Sequence, residues 1–503
     1  MAVPEGPLVV GIDSSTQSVK VLVVDAATGQ VVARGQEPHM VTSGPGHESD
    51  PEQWWEALRA ALDSCGDAVR RAAAVSVAGQ QHGLVTLGAD GRPVRPALLW
   101  NDVRSAPQRD SLVAEMGGPQ WWADHIGSVP AAAFTVTKWA WLREHEPDAV
   151  AATRAVRLPH DYLTGRLTGQ DPALHGGADH GTTDRGDASG TGWWSSRTGA
   201  YDERVLEHVG LSPELLPRVL GHGEAAGTVG DGLPLPTGAL VATGTGDNMA
   251  AALGLGLRPG SPVLSLGTSG TVYAVSGSRP ADPTGTVSGF ADAGTGWLPL
   301  ACTLNCTLAV DRVAALLGLD REAVEPGGSV TMLPFLDGER TPDLPHASGL
   351  LHGLRHDTSG GQVLQAAYDG AVFALLQALD QVLGGQRASE SGGTGAGGAV
   401  GSAAEADSPI LLIGGGAQGT AWRETVQRLS GRPVQVPRAR ELVALGAAAQ
   451  AAGLLLGEDP AAVARRWSTA AGPAYPAVPR DEAALARLES SLTDADTLLR
   501  RPV

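Results

Sequence analysis

The sequence predicts an α/β protein made of two related domains that face one another. Three observations carry that expectation. The chain has 503 residues, more than one ordinary core organises. A strand, a polar loop and a second strand open each half, about 255 residues apart. The 68 glycines, nearly twice the usual share of about 7%, gather where strands end, as expected where backbone must turn sharply or lie close to a ligand.

In chain order, Leu8–Ile12 reads as a short β-rich run ending at Asp13, and Val19–Val24 as its partner across the polar loop Ser14–Ser18. Asp25–Gln30 has turn chemistry, and Val31–Ala33 returns as a third strand. A helix should start near Asp50-Pro51, where Asp caps and Pro suits the first turn, and bury Trp54, Trp55, Leu58 and Leu62 at helical spacing. A buried strand, Ala74–Ala78, runs straight into Gly79-Gln80-Gln81-His82-Gly83. Thr243–Gly246 leads into Asp247, Asn248 and an alanine-rich helix to Leu253. The boundary is expected between Leu255 and Pro262, giving domains 1–256 and 257–503. In the second half Pro262–Leu266, the loop Gly267-Thr268-Ser269-Gly270 and Thr271–Val275 repeat the opening plan. A helix over about Gln362–Leu383 is followed by 384–408, a Gly, Ser and Ala stretch expected to be a flexible surface insertion because it cannot offset its own ordering entropy. Ile410–Ile413, the run Gly414-Gly415-Gly416 and a helix over about Ala421–Ser430 complete the pattern.

Composition excludes several function classes. A formal charge of −18 and a pI near 5.1 argue against a broad nucleic-acid surface, which works by neutralising phosphates, but permit a local nucleotide site. Three cysteines, Cys65, Cys302 and Cys306, make no disulfide framework and have no His or Cys cluster that completes a zinc site. The N-terminus lacks a basic region ahead of an apolar one, and no uninterrupted apolar run approaches the roughly 20 residues of a membrane span. The expectation is a cytoplasmic protein with no membrane partner; a homodimer is left open.

Several residues are candidates for chemistry, each with a plainer alternative. No G-x-x-x-x-G-K-[ST] loop occurs, so phosphate binding would rest on the hydroxyl-rich loops Ser14–Ser18 and Gly267–Gly270, which offer N–H and O–H donors. Asp13, at a strand end, is placed either to hold Mg²⁺ or to order its loop through an Asx turn. Asp247, ahead of a helix, is either a general base or an N-cap. Gln81 and His82 could hold polyol hydroxyls, or His82 could be structural. Gly414–Gly416 could let a nucleotide lie against the backbone, although it forms no G-x-G-x-x-G fingerprint. Among the 12 tryptophans only Trp100 is a candidate for the site.

Taken in order, these segments resemble the FGGY family of carbohydrate kinases. The resemblance runs from Gly11–Lys20 through Glu48–Trp55, Gly79–Gly83, Leu99–Asp102, Leu158–Tyr162 and Gly244–Asn248 to Leu266–Gly270, Leu333–Pro342 and Ile413–Gly416. It implies two ribonuclease-H-like domains of the actin and hexokinase type, with a deep cleft between them. It implies transfer of phosphate from ATP to a small ketose, and the Gly-Gln-Gln-His-Gly segment points to D-xylulose ahead of ribulose, glycerol or gluconate. A non-catalytic sugar sensor on the same fold is disfavoured because Asp247 is present. By the same resemblance Asp247 would be the base for the C5 hydroxyl, and Gln81, His82, Asp247 and Asn248 would hold the ketose. Asp13 would serve Mg²⁺ and phosphate; Thr16, Gln17 and Lys20 would line the first phosphate loop; Gly267, Thr268 and Ser269 would face the ATP phosphates; Gly414, Gly415 and Gly416 would flank the nucleotide. One departure stands out. The first loop reads Asp-Ser-Ser-Thr-Gln where many relatives have Asp-Leu-Gly-Thr-Ser, so Ser15 must accept the backbone shape glycine has there.

Overall fold

Runs of valine and isoleucine pack well on pleated surfaces and set the first sheet. In a computed structural model, which describes residues 6–43, 46–169, 181–390 and 408–501, they form β1 (Leu8–Ser14), β2 (Ser18–Asp25) and β3 (Val31–Pro38). All seven residues of β1 are buried, as expected of a strand covered on both faces. The helix α1 (Pro51–Ser64) starts as its sequence dictates. The Asp50 carboxylate accepts from the Glu52 N–H at 3.0 Å, and Trp54, Trp55, Leu58 and Leu62 face the sheet. The chain continues through β4 (Ala72–Gly79), α2 (Pro159–Thr168), β5 (Ala225–Thr228), β6 (Leu240–Ala242), β7 (Thr245–Gly246) and α3 (Asp247–Gly254). The sheet order is β5-β6-β4-β1-β2-β3, with β7 also on β4. β2 runs antiparallel to both β1 and β3, while β4 joins β1 in parallel and β6 joins β4 in parallel.

The second half repeats the plan. It contains β8 (Pro262–Leu266), β9 (Gly270–Ala274), β10 (Ser288–Ala291), β11 (Trp297–Thr303), α4 (Gly360–Glu390), β12 (Ile410–Ile413), α5 (Thr420–Ser430), β13 (Val434–Gln435), α6 (Leu442–Leu456) and β14 (Ala474–Tyr475). Its sheet order is β10-β11-β9-β8-β12-β13-β14. Again three antiparallel strands (β11, β9, β8) continue into two parallel ones (β12, β13). The fold is thus two α/β units with one strand plan. α4 extends past the expected Leu383, so the opening of the anticipated insertion at 384–408 continues a helix; residues 391–407 of that stretch lie outside the described residues.

One helix departs from the order of the chain. α6 lies between β13 and β14 of the second sheet in sequence, yet it packs on β1, β4 and α3 of the first. Two glycines permit that approach. A Cβ at Gly11 would lie 1.9 Å from the Ala444 carbonyl oxygen, and one at Gly446 would lie 1.8 Å from the Ala250 carbonyl oxygen. Residues Ala444 to Gly453 of α6 are all buried, which explains its apolar composition. No single helix among the described residues is long and apolar enough to cross a membrane. All three cysteines are free, with Cys65 and Cys306 buried and Cys302 partly so.

Candidate active site

The parallel strands of the first sheet end together, and their ends gather the candidate residues. β1 ends beside β4, with Asp13 opposite Ala78 and Ser14 opposite Gly79, and β7 pairs the same two β4 residues with Thr245 and Gly246. Asp13, the Gln80–His82 segment and Asp247 therefore converge, at the place where open parallel sheets bind ligands. Asp247 is the first residue of α3, and the cap position falls on Gly246. A Cβ on Gly246 would lie 2.7 Å from Gln81 Cγ, so glycine lets α3 start against that side chain. Asp247 Oδ1 accepts from Asn248 N at 2.8 Å and from Asn248 Nδ2 at 3.0 Å. Asn248 Nδ2 also donates to Gln81 Oε1 at 2.8 Å, which links three of the predicted sugar contacts. Gln81 Nε2 is buried with no partner in the protein.

The carboxylates here are strongly perturbed. Burial, reinforced by the charge of Asp187 and opposed by the Asn248 hydrogen bonds, pushes Asp247 up to about 7. Burial also raises Asp13 to about 7, against Lys20 and with help from Asp247 and Glu441. Lys20, the cross-strand neighbour of Asp13, sits 3.8 Å from it and 2.8 Å from Glu441 Oε2. Asp13 Oδ1 is buried and has no hydrogen-bond partner.

His82 adopts a left-handed backbone (φ 64°), uncommon outside glycine and typical of functional positions. Its ring stacks on Phe134 at 4.8 Å and 14°. Burial, with the charges of Lys138 and Arg340, holds the imidazole down to about 3, so it is neutral. Nδ1 lies 2.7 Å from the Gly190 carbonyl, which can only accept. Nδ1 therefore carries the proton and Nε2 keeps a lone pair, suited to accept from a sugar hydroxyl.

The second half brings its two glycine sites together. β8 and β12 are parallel neighbours, with Ser265 opposite Ile413, so Gly267–Gly270 and Gly414–Gly416 leave the sheet at the same end. Gly414 has φ 85°, and a Cβ there would lie 2.7 Å from the Leu266 carbonyl oxygen; at Gly416 one would lie 2.8 Å from Thr307 Cγ2. Thr307 fixes the first loop by donating its N–H and hydroxyl to Gly267 O at 3.1 and 2.8 Å. Thr268 is exposed, while Gly267 and Ser269 are partly so.

A cavity of about 550 Å³ joins the two halves, lined by Asp13, Lys20, Asp247 and Asn248 on one side and by Ser265, Tyr273, Gly414, Gly415 and Glu441 on the other. Thr16 donates to Gln80 Oε1 at 3.4 Å and accepts from Trp100 Nε1 at 3.1 Å, which brings Trp100 to the first loop. Gln17 is exposed, and its carbonyl accepts from His39 N at 3.0 Å. Ser15 needs no left-handed backbone: its N–H and hydroxyl both close the loop onto Ser18 O, at 3.0 and 2.9 Å. The anticipated cost of the lost glycine is absent.

Sequence reasoning missed a buried ionic cluster close to Asp247. His160 Nδ1 lies 2.8 Å from Asp187 Oδ2, and Nε2 lies 3.1 Å from Asp161 Oδ1 and 3.8 Å from Asp184 Oδ1. Burial disfavours the charged ring, but the surrounding carboxylates win and raise it to about 9. Asp184 in turn accepts from Thr245 Oγ1 at 2.8 Å, two residues before Asp247. The Leu158–Tyr162 segment contains His160, but nothing local announces that distant aspartates will surround it. Glu441 had no sequence signal either; it meets Lys20 only because α6 returns to the first sheet.

Known proteins give the same architecture over the same span. The FGGY carbohydrate kinase N-terminal domain model matches residues 8–254, and the C-terminal domain model matches 263–454. Xylulose kinases of Streptomyces rubiginosus and Streptomyces coelicolor are 71% and 70% identical over 503 residues, covering 100% of this chain and 99% of each relative. The crystal structure of xylulose kinase from Bifidobacterium adolescentis superposes with a TM-score of 0.80 at 34% identity, covering 97% of this chain and 99% of that one. With both domain models matched in order and the relatives aligned end to end, the chain belongs to the FGGY family of carbohydrate kinases.

Proposed function

We propose that the protein phosphorylates D-xylulose with ATP, giving D-xylulose 5-phosphate, and that Asp247 is the general base. The observation that carries this reading is the shared cavity: a carboxylate raised to about 7, beside Gln81 and Asn248, faces the backbone glycines of the second half. A base poised near the working pH transfers protons best. The C5 hydroxyl oxygen attacks the γ-phosphorus while its proton passes to Asp247. The new O–P bond forms as the bridging P–O bond breaks, and ADP leaves with that electron pair.

Gln81 Nε2, His82 Nε2 and Asn248 would hold and orient the ketose hydroxyls, with Phe134 fixing the His82 ring. Gly267–Ser269 and Gly414–Gly416 would cradle the nucleotide, while Thr16, Gln17 and Lys20 border the phosphates. Asp13 would hold Mg²⁺, partly through water. Its orphaned oxygen fits a cation, and no pre-built group of three or more ligating side chains occurs among the described residues, as expected of an ion that keeps its waters. Bound there, Mg²⁺ would offset phosphate charge. On this reading residues 1–256 carry the sugar site and 257–503 the nucleotide site, and the enzyme works where ATP is, in the cytoplasm.

Asp247→Asn should lower kcat by about 10²–10⁴-fold while nucleotide affinity, read by calorimetry, stays within about threefold. Near-native turnover would end the base assignment. A coupled assay over xylulose, ribulose, glycerol and gluconate tests the acceptor; faster turnover of any rival than of xylulose would replace it.

A further inference from the structure

The Leu333–Pro342 segment carries an unused cation. Glu339, 1% exposed, gathers the backbone around it: its carboxylate accepts from Leu304 N and, at 2.8 Å, from Arg340 N, and on its other oxygen from Asn305 N and Nδ2 at 3.2 and 3.0 Å. Thr341, fully buried, donates to Cys302 O at 2.9 Å. Two buried side chains thus pin both neighbours of Arg340, which is itself exposed. Burial raises the Cys302 thiol, and the nearby Arg340 guanidinium opposes that rise. Cys302 pairs across β9 and β11 with Thr271, directly after the Gly267–Gly270 loop. The same guanidinium lies close enough to His82 to depress its imidazole, and Cys302 feels the charge of Asp247. Thr341 on Cys302, and Cys302 opposite Thr271, therefore place Arg340 beside the strand that follows the second-half phosphate loop, where its charge reaches His82. No carboxylate lies within ion-pair distance of it among the described residues.

A neutral ketose can accept hydrogen bonds there but does not call for a full positive charge. A phosphoryl group in flight does, because its charge is spread over three equatorial oxygens that a planar guanidinium can grip. We propose that Arg340 holds the phosphoryl group as it passes from nucleotide to sugar, and then holds it as the phosphate of the product. Lys20 does not take this part, since its ammonium is engaged by Glu441 and Asp13. Arg340 forms no bond to phosphorus and moves no proton; it stabilises charge while the O–P bonds exchange. The inference rests on the cleft reading above.

The test compares Arg340→Gln, Arg340→Lys and Arg340→Ala with the unaltered enzyme, whose own turnover of xylulose checks the underlying reading separately. The glutamine variant should lose about 10²–10³-fold in kcat, with KM for ATP and ketose within about threefold. Added guanidinium should restore part of the loss in the alanine variant and none in the lysine one. Calorimetry should show D-xylulose 5-phosphate binding at least about tenfold more weakly to the glutamine variant, and D-xylulose binding unchanged. Matching thermal midpoints exclude a folding defect. An unchanged kcat, or a KM rise for the ketose with kcat intact, would overturn the proposal; the second would make Arg340 a hydroxyl contact instead.

Discussion

As the proposed base, Asp247 combines two demands that usually conflict: it must be deprotonated to act, yet burial favours its neutral form. An aspartate raised in the folded state loses activity as the pH falls through that raised value. The kcat profile should therefore show an acid limb near pH 7, falling about tenfold per unit below it; a limb centred near 4 would mean the carboxylate is not perturbed in the working complex. The stability sign runs the other way. A carboxyl whose folded value lies above its unfolded value costs stability as the pH rises from the unfolded value through the folded one. In the unliganded protein, Asp247→Asn should raise the thermal midpoint at pH 8 and leave it nearly unchanged at pH 4, on a scale of roughly 1–2 °C per kcal/mol recovered. At this scale the sequence was informative where a residue sat in a local pattern. Asp13, Gln81 and His82 became candidates from their places at strand ends, whereas Asn248 became one only through the family resemblance. It was silent where partners are distant: Asp187, which adds to the Asp247 shift, is 60 positions away in the chain and reaches it only through the folded cluster around His160.

Among elements, α6 decides how α3 is held, and α3 carries both Asp247 and Asn248. Their contact is glycine to backbone. A Cβ on Gly254 would lie 2.1 Å from the Leu442 carbonyl, and one on Gly446 1.8 Å from the Ala250 carbonyl. Gly446→Ala must push the helices apart. The expected cost is about 1–3 kcal/mol, read from denaturant unfolding, with a fall in kcat because the base shifts with its helix. The opening strands, α1 with its Asp50 cap, and the β8–β9 hairpin were legible because hydrophobic period and turn residues agree there. The long α4 ran past its expected end, since its last turns fall in the Gly, Ser and Ala stretch from 384 that was expected to be a flexible insertion. The return of α6 to the first sheet could not be read at all, because nothing in a uniformly apolar helix names the surface that will bury it.

For the molecule as a whole, the two sheets share one strand plan and meet at a cavity that neither builds alone. On the proposed reading the sugar contacts would lie on one side and the nucleotide glycines on the other, so productive alignment would require the halves to approach. Small-angle scattering should show a smaller radius of gyration with xylulose and a non-transferable ATP analogue together than with either alone; additive or absent compaction would mean the cleft is already closed. The duplication was visible as a repeated strand–loop–strand unit, but the wiring between the units was not.

That wiring bears on how the chain comes into being. The face of β1 around Gly11 is covered by Ala444 and Ala448, more than 430 residues later. During synthesis the first sheet leaves the ribosome long before its cover exists, and its apolar side stays open to water until nearly the whole polypeptide has emerged. That face of the amino-terminal half thus depends for its cover on a helix made more than 430 residues later.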